Sequence, residues 1–592
     1  MTAVKINAFG GAIPATDSRV LPDQAAALSQ NAWLYSGALQ GVISPKPVRP
    51  MTNAGFGKAY RIPNNYYDAA HLEDAVWMEF ANIDTDVLRS PVVGDSFDRY
   101  YWASPSDVPR VNSLARIRSA SAPYKLGVIP PTGTPTLALT GGVSSSTEAR
   151  AYVVTWLSAF GEEGPPSSPV LATGKPDATW TLSLPAAAGA DQTDYNLSKA
   201  RIYRTVTGTT GTATFFFVAE VAIATASYAD TLATAVVSAN AQLPSTSWSP
   251  PPADLQGFVS MPNGMIAGWR GKELWFSEPF RAHAWPAAYT NVVEFPIVGL
   301  GVTNQTLVIC TAGYPMVATG INPSSISLSK LSAFEPCMSR GSIVAAPEGV
   351  YYASPNGLVL VANGIAQLVT DGLVMKDEWS NLMQVATMRA TRVGNGYFAF
   401  GTKRVGFTDS AFQADAWQQD DFSGSYKGVF IDPTNQRVAF NSLTTAVPTT
   451  NVFNDPWSGE TLIIRDDELY RLDLSDETSA RDTFLWRSKV FQPTDKKNFA
   501  VMRVYFDVPP WAPTQNPVRD TSEPQTLKPD QYGLVRIYAD NRLVMTRELR
   551  SSGEILRFPS GFKADFWQVE FEAVVRIMSF QMATSVKELM KV

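Results

Sequence analysis

The sequence predicts a mainly β protein: a β-propeller-like core, a β-sandwich inserted into it and a C-terminal β-sandwich domain. Three observations carry this expectation. Between Gly257 and Thr370, short β-branched and aromatic runs alternate with tight turns. Met265 to Trp269 is followed by a Gly-Lys turn and Glu273 to Ser277. Gly349 to Ser354, Leu358 to Ala362 and Ile365 to Thr370 are separated by Pro355-Asn356-Gly357 and Asn363-Gly364. Asn-Gly between such runs is the strongest short-range hairpin signal, and strand, turn, strand, turn, strand is how a propeller blade is written. The second observation is a set of short strand patterns between Pro-rich boundaries over residues 131–250. The third is the alternation of Trp567, Val569 and Phe571 with Gln568, Glu570 and Glu572, a half-buried strand.

Bulk composition narrows the function classes. The 592 residues are 45% hydrophobic, so several large cores are affordable, and only 17% charged, below the roughly 25% usual for soluble domains. A weakly charged surface is expected to face other subunits. The formal net charge of -6 argues against a net-basic grip on nucleic acid. Cys310 and Cys337, the only cysteines, imply no disulfide framework and are expected as two buried thiols. The opening MTAVKINAFGGAIPATDS lacks a signal-peptide apolar region, and no apolar run approaches the ~20 residues of a bilayer span.

Taken in order, residues 1–50 form an N-terminal segment. Pro22 to Asn31 reads as one short helix, with Pro22 suited to a first helical position and Ala25, Leu28 and Ala32 at helical spacing. So short a helix must dock, either on its own domain or on a neighbour. Residues 51–130 read as first blade material, with strands at Ala75 to Phe80 and Arg99 to Ser104. Residues 131–250, bounded by Pro130 to Pro135 and by Trp248 to Pro252, hold strands at Tyr152 to Leu157, Trp180 to Leu184, Ala200 to Thr205, Phe215 to Glu220 and Ala226 to Asp230. That spacing predicts a β-sandwich. Its phrases TWLSAFGEEGPPSSPV and RIYRT resemble fibronectin type III modules. Residues 251–480 continue as blades, interrupted by an acidic, aromatic stretch from Asp409 to Phe422. Residues 481–592 form the closing β-domain, with a long Pro-rich loop at 509–530.

Chemistry-bearing patterns are sparse. His71 and His283 sit in no metal-ligand spacing, and there is no nucleophile elbow and no phosphate-cradling glycine loop. No cofactor is expected. Paired carboxylates are the remaining enzymatic possibility, at Glu162-Glu163, Asp420-Asp421 and Asp466-Asp467, because a glycosidase needs two carboxyls ~5–10 Å apart. Adjacent strand residues point to opposite faces, which opposes joint action. Arg110 to Arg118 and Lys496-Lys497 are the nearest basic clusters, both short.

With these pieces in order, the chain resembles the tail nozzle (tail tubular protein B) family of short-tailed bacteriophages. The resemblance rests on the opening FGGAIPATDSRVLPDQAAALSQNAWLYSGALQG, on Tyr100 to Ser104 and Glu273 to Glu278, on the fibronectin-like phrase, and on Trp486 to Lys489, Phe499 to Arg503 and the closing RIYADNRLV and ADFWQVEFEA. It implies a virion structural protein, not an enzyme: a homohexameric ring below a tail adaptor ring, with contacts to tail fibres or spikes. Phage DNA would leave through its channel toward the host cell envelope. Such a protein is made in the host cytoplasm and resides in the phage tail. An acidic wall suits a DNA conduit, since like charge opposes sticking at close range. The long stretches are candidates for the lumen and for arms. Asp409, Asp415, Trp417, Asp420, Asp421 and Phe422 are the expected gate residues, and Trp511 and Arg519 belong to an expected arm. Arg19, Leu21, Leu28 and Trp33 are the expected adaptor contacts. The alternative is a host-surface receptor- or polysaccharide-binding tail propeller, and after it a glycosidase.

Overall fold

Short β-branched and aromatic runs, broken by residues that accept left-handed backbone, make antiparallel strand the dominant secondary structure of the described residues. The computed structural model describes residues 3–34, 37–64, 75–206, 214–404, 426–432, 440–445, 449–473, 479–508 and 532–591. Two hairpin turns show the local rule. Asp466 and Asp467 (φ 47° and 59°) turn Thr461–Arg465 into Glu468–Leu472, and Asp540 and Asn541 (φ 46° and 61°) turn Gly533–Ala539 into Arg542–Glu548. Asp and Asn tolerate this region because their short polar side chains bond locally.

The described strands form eleven sheets, most of them four-stranded antiparallel sets. No sheet closes into a barrel or a propeller, and none has the curvature of a sandwich. The expected propeller core and the two expected sandwiches are therefore corrected to a mainly β fold of several small antiparallel sheets. The reason is physical. A hairpin signal specifies which strands are sequence neighbours, and it reads the same whether the sheets close into a ring or stay separate.

The chain divides into two units, residues 1–83, 313–315 and 331–592 in one and 84–312 and 316–330 in the other. The first is built around a nine-stranded sheet. Four strands, Arg389–Val393, Gly396–Arg404, Tyr426–Ile431 and Phe440–Thr445, form one half; Phe484–Ser488, Trp567–Ala573, Gly533–Ala539 and Arg542–Glu548 form the other. Between them lies Ala26–Gln30, antiparallel to Phe484–Ser488 and parallel to Phe440–Thr445. The helix expected over 22–31 is thus a strand. Its helical spacing is real, but so short a helix is marginal alone, and backbone pairing on both sides outweighs that propensity. Ala26 is fully buried, and the Ser29 hydroxyl donates to the Asn441 side-chain oxygen inside the fold.

Other strands from the opening segment reach further sheets of the same unit. Ala3–Ile6 pairs with Arg576–Ala583, beside Val501–Asp507, and Lys46–Pro50 pairs with Glu468–Leu472. The main core is aromatic: Trp486 packs edge-on to Phe9 at 5.1 Å and stacks toward Phe571, and its indole N–H donates to the Gly10 carbonyl. Arg61 and Asp455, both fully buried, pair at 2.6 Å, while Trp457 donates to the Arg61 carbonyl.

The second unit holds five sheets: three are meanders of consecutive strands, and the two over residues 136–230 also pair strands that are not consecutive. The expected hairpins near Met265 are found there as Gln256–Ser260, Ile266–Arg270, Glu273–Phe276 and Asn291–Val292. Over 131–250 the strands fall into a three-stranded set and a four-stranded set, and Trp156 and Trp180 are fully buried. Both cysteines are buried and outside any disulfide, Cys310 in this unit and Cys337 in the first.

Two substitutions test the first unit. Asn441→Ala strands the buried Ser29 hydroxyl and is expected to cost about 1–3 kcal/mol in denaturant unfolding. Asp455→Asn leaves the Arg61 guanidinium buried beside a neutral group and is expected to cost about 3–5 kcal/mol.

Candidate functional site

The expected gate residues Asp409, Asp415, Trp417, Asp420, Asp421 and Phe422 and the expected arm residues Trp511 and Arg519 lie outside the described residues, as does His71. The expected adaptor contacts are described. Arg19 is exposed and pairs with Asp17 at 2.9 Å, and this bond holds the Asp17 carboxyl down at about 2. Val20 beside it is 72% exposed, but Leu21 is buried. Leu28 is half-buried on the bridging strand, and Trp33 is half-buried with its ring 4.8 Å from Phe430. Of the four, Arg19 alone presents its side chain openly to solvent.

A group of buried titratable side chains lies in the second unit, around Glu162 and Glu163. These residues follow strand Glu148–Ser158, where the Ser158 N–H donates to the Glu162 carbonyl and closes a tight loop. Their side chains part. The Glu162 carboxylate takes Arg99 Nη1 at 2.6 Å and the Ser158 hydroxyl at 3.3 Å, and Arg99 Nε reaches Asp95 at 2.7 Å. Glu163 instead accepts from Thr155 and Tyr203, each at 2.7 Å, and from Arg201 at 2.8 Å. Each carboxylate is enclosed by its own donors.

His283 completes the cluster, with Nδ1 3.8 Å from a Glu162 oxygen and its ring edge-on to Trp248 at 5.5 Å. Burial holds the imidazole pKa down to about 3, and the nearby Arg99 and Arg281 charges push the same way, against a hydrogen bond to the Glu163 backbone. Its Nε2 is buried without a hydrogen-bond partner. Burial also pushes the Glu162 carboxyl up, opposed by the Arg99 guanidinium. The arrangement is a neutral imidazole beside a clamped carboxylate, inside the unit. It can store pH sensitivity, but it presents no group to a substrate. Sequence reasoning singled out both Glu162-Glu163 and His283 but not their contact, since 120 residues of chain separate them.

Two more constellations escaped the sequence reading. In the second unit Arg204 pairs with Asp230 at 2.8 Å, the Tyr152 hydroxyl donates to the same carboxylate at 2.7 Å, and Arg150 lies over the Trp180 ring. In the first unit a cavity of about 30 Å³ is lined by Phe398, Phe400, Ile463, Arg465 and Asp482 among others. Burial pushes the Asp482 carboxyl up and the Arg465 guanidinium down, and the Ser44 hydroxyl donates to Asp482 at 2.6 Å. The space suits one water molecule between two polar groups. Among the described residues no three His, Cys, Asp or Glu side chains gather as a metal site. The Asp466-Asp467 pair occupies its hairpin turn, where Asp467 accepts from the Gly55 N–H at 2.8 Å.

No family model matches the sequence, and no curated protein matches it. Solved structures with some likeness include BBS1N in complex with ARL6DN, at 8% identity over 73% of this chain and 98% of that one, with a TM-score of 0.24. AztD of Citrobacter koseri is 11% identical over 51% of this chain and 98% of its own, with a TM-score of 0.20. Hsv2 of Kluyvelomyces marxianus is 7% identical over 56% of this chain and 89% of its own, with a TM-score of 0.22. Scores this low carry no argument about fold or activity.

The cluster makes a pH prediction. Below the ordinary histidine value of 6.5 the unfolded chain takes up a proton at His283 that the folded chain refuses until about 3. Stability contributed by the neutral imidazole is therefore full above about pH 6.5 and falls as pH drops, by up to roughly 1.4 kcal/mol per pH unit. Denaturant unfolding between about pH 5 and 6.5 is expected to lose stability toward low pH more steeply in this protein than in His283→Leu; the difference isolates the imidazole, because the raised Glu162 carboxyl, which acts in the opposite direction, is present in both.

Proposed function

We propose that this chain is a structural component of the tail of a short-tailed bacteriophage, a nozzle subunit that packs against copies of itself around the DNA exit channel. The observation that favours this reading is the fate of the carboxylates that an enzyme would need. Glu162 and Glu163 are each enclosed by separate donors, and Asp467 ties a hairpin to the Gly55 backbone. The described members of the candidate pairs serve the scaffold and do not converge on a shared space. The weakly charged, aromatic-rich composition supports the same reading.

In this reading a ring of six copies sits below a tail adaptor ring and contacts fibres or spikes. The segment around Arg19 is the first surface to test against the adaptor, because it leaves Arg19 and Val20 open to solvent. The acidic, aromatic stretch 405–427 is proposed to narrow the lumen and retain the genome until receptor engagement. Gating of this kind needs two states a few kcal/mol apart, biased by contacts elsewhere. The motive for choosing that stretch is its length and its lack of strand pattern in the sequence. A receptor-binding tail component is the second reading, and particle imaging separates the two.

Native mass measurement of the purified chain, alone and with tail adaptor, is expected to give a sixfold assembly; a monomer or trimer under both conditions would count against the nozzle. Particles carrying a deletion of residues 408–425 are expected to lose DNA prematurely. Normal retention and infection would remove that stretch from the mechanism.

A further inference from the structure

The sequence contains four Asn-Gly pairs, at Asn263-Gly264, Asn356-Gly357, Asn363-Gly364 and Asn395-Gly396. An asparagine followed by glycine is chemically exposed, because no Cβ shields the following backbone nitrogen. The fold treats the four pairs differently. The Asn263 amide donates to the Ile321 carbonyl at 3.0 Å, and the buried Gly264 lies against the Phe280 ring. The Asn356 amide donates to both Glu335 carboxylate oxygens at 3.0 Å, its N–H donates to the Ser354 hydroxyl, and Gly357 is buried. The Asn395 oxygen accepts from Arg392 at 3.2 Å, and the buried Gly396 sits against the Phe430 ring.

Asn363 differs in its neighbour. It is exposed, as Asn263 and Asn395 are, but Gly364 is exposed as well, and a Cβ on Gly364 would meet nothing within 4 Å. Both residues have left-handed backbone, φ 50° and 74°, in the two-residue turn that pairs Ala362 with Ile365. That turn bonds Ala362 to Ile365 across its ends, so the Gly364 N–H is not the one that closes it. The turn leads into Ile365–Leu368, the edge strand of its four-stranded sheet, so little holds it against opening.

We infer that Asn363 is a site of spontaneous modification, converting to aspartate and isoaspartate ahead of the other three asparagines. The Gly364 backbone nitrogen attacks the Asn363 side-chain carbonyl carbon. The carbon–nitrogen bond of the side-chain amide breaks, and ammonia leaves with the proton released by the Gly364 nitrogen. Water then opens the cyclic imide at either carbonyl, giving an aspartyl or an isoaspartyl link. The net reaction consumes one water and requires no oxidant or cofactor. The product carries one new negative charge. The isoaspartyl form also adds a backbone methylene to a turn with no slack, which loosens the register of Ile365–Leu368.

The test is peptide mapping with isoaspartate detection on the full-length chain held at mildly alkaline pH, with the denatured chain as a clock. Asn363 is expected to convert first in the folded chain, with a one-charge acidic shift on native isoelectric focusing. Asn363→Gln is expected to abolish that shift and keep the circular dichroism spectrum. The inference is overturned if Asn263, Asn356 or Asn395 converts as fast in the folded chain. It is also overturned if Asn363 remains an amide over the period in which the denatured chain converts, or if Asn363→Gln keeps the shift.

Discussion

The first unit depends on one backbone insertion, the strand Ala26–Gln30 between two halves of a nine-stranded sheet. Neither half reaches the other without it. The backbone bond from the Asn31 N–H to the Ser442 carbonyl is backed by side chains: the Ser442 hydroxyl donates to the Ser29 carbonyl, and the Ser29–Asn441 pair sits on the strand's buried side. Polar pairing of this kind is favourable only while complete, because an unmet donor in the interior costs more than the bond contributes. The aromatic cluster around Trp486 then closes beneath the joint, with the Gly10 carbonyl meeting the indole N–H. Residues 3–50 are therefore scaffold for much of their length, and three of their strands pair directly with strands more than 400 residues away in sequence.

Some of the charge in this protein is used inward. Arg61 with Asp455, Arg204 with Asp230 and Arg99 with Glu162 are ion pairs whose members are buried or nearly so. On the nine-stranded sheet, Arg487 and Arg536 cover Glu570, and Arg536 also covers Glu572, so that the polar face of the strand Trp567–Ala573 is itself shielded. A buried pair is weak evidence for net stability, but loss of either partner alone leaves an uncompensated charge in the interior. In the Glu162-Glu163 pair this inward use turns each carboxylate toward its own donors.

Much of the local structure was legible. Strands at Ala75–Phe80, Arg99–Ser104, Gly349–Ser354 and Trp567–Ala573 follow from their β-branched, aromatic and alternating patterns, and turns at Asp540-Asn541 and Asn363-Gly364 from their residue types. The stretch around Leu28 misled because Ala25, Leu28 and Ala32 match a helical period, while its partners Phe484–Ser488 and Ser442 lie far along the chain. The propeller expectation failed for a related reason: blade-like meanders were read correctly as neighbouring strands, but closure is a relation between distant sheets. Of the candidate site, the acidic pair and His283 were visible as residue types. Their burial, and the donors that separate Glu162 from Glu163, were not.

The sequence by itself determined what depends on neighbours within a few residues: mainly β character, the hairpin turns, the alternation of Trp567, Val569 and Phe571 with polar partners, and the absence of a metal-ligand spacing. Tertiary structure alone decided the strand nature of Ala26–Gln30, the assembly of the nine-stranded sheet, and the partners of Arg61, Arg99 and Arg204. It also decided which of four identical Asn-Gly pairs stands open. The division has one physical cause. Turn and period preferences are local energies of the backbone and nearby side chains, whereas pairing, burial and charge compensation are set by groups that the chain brings together only after it has folded.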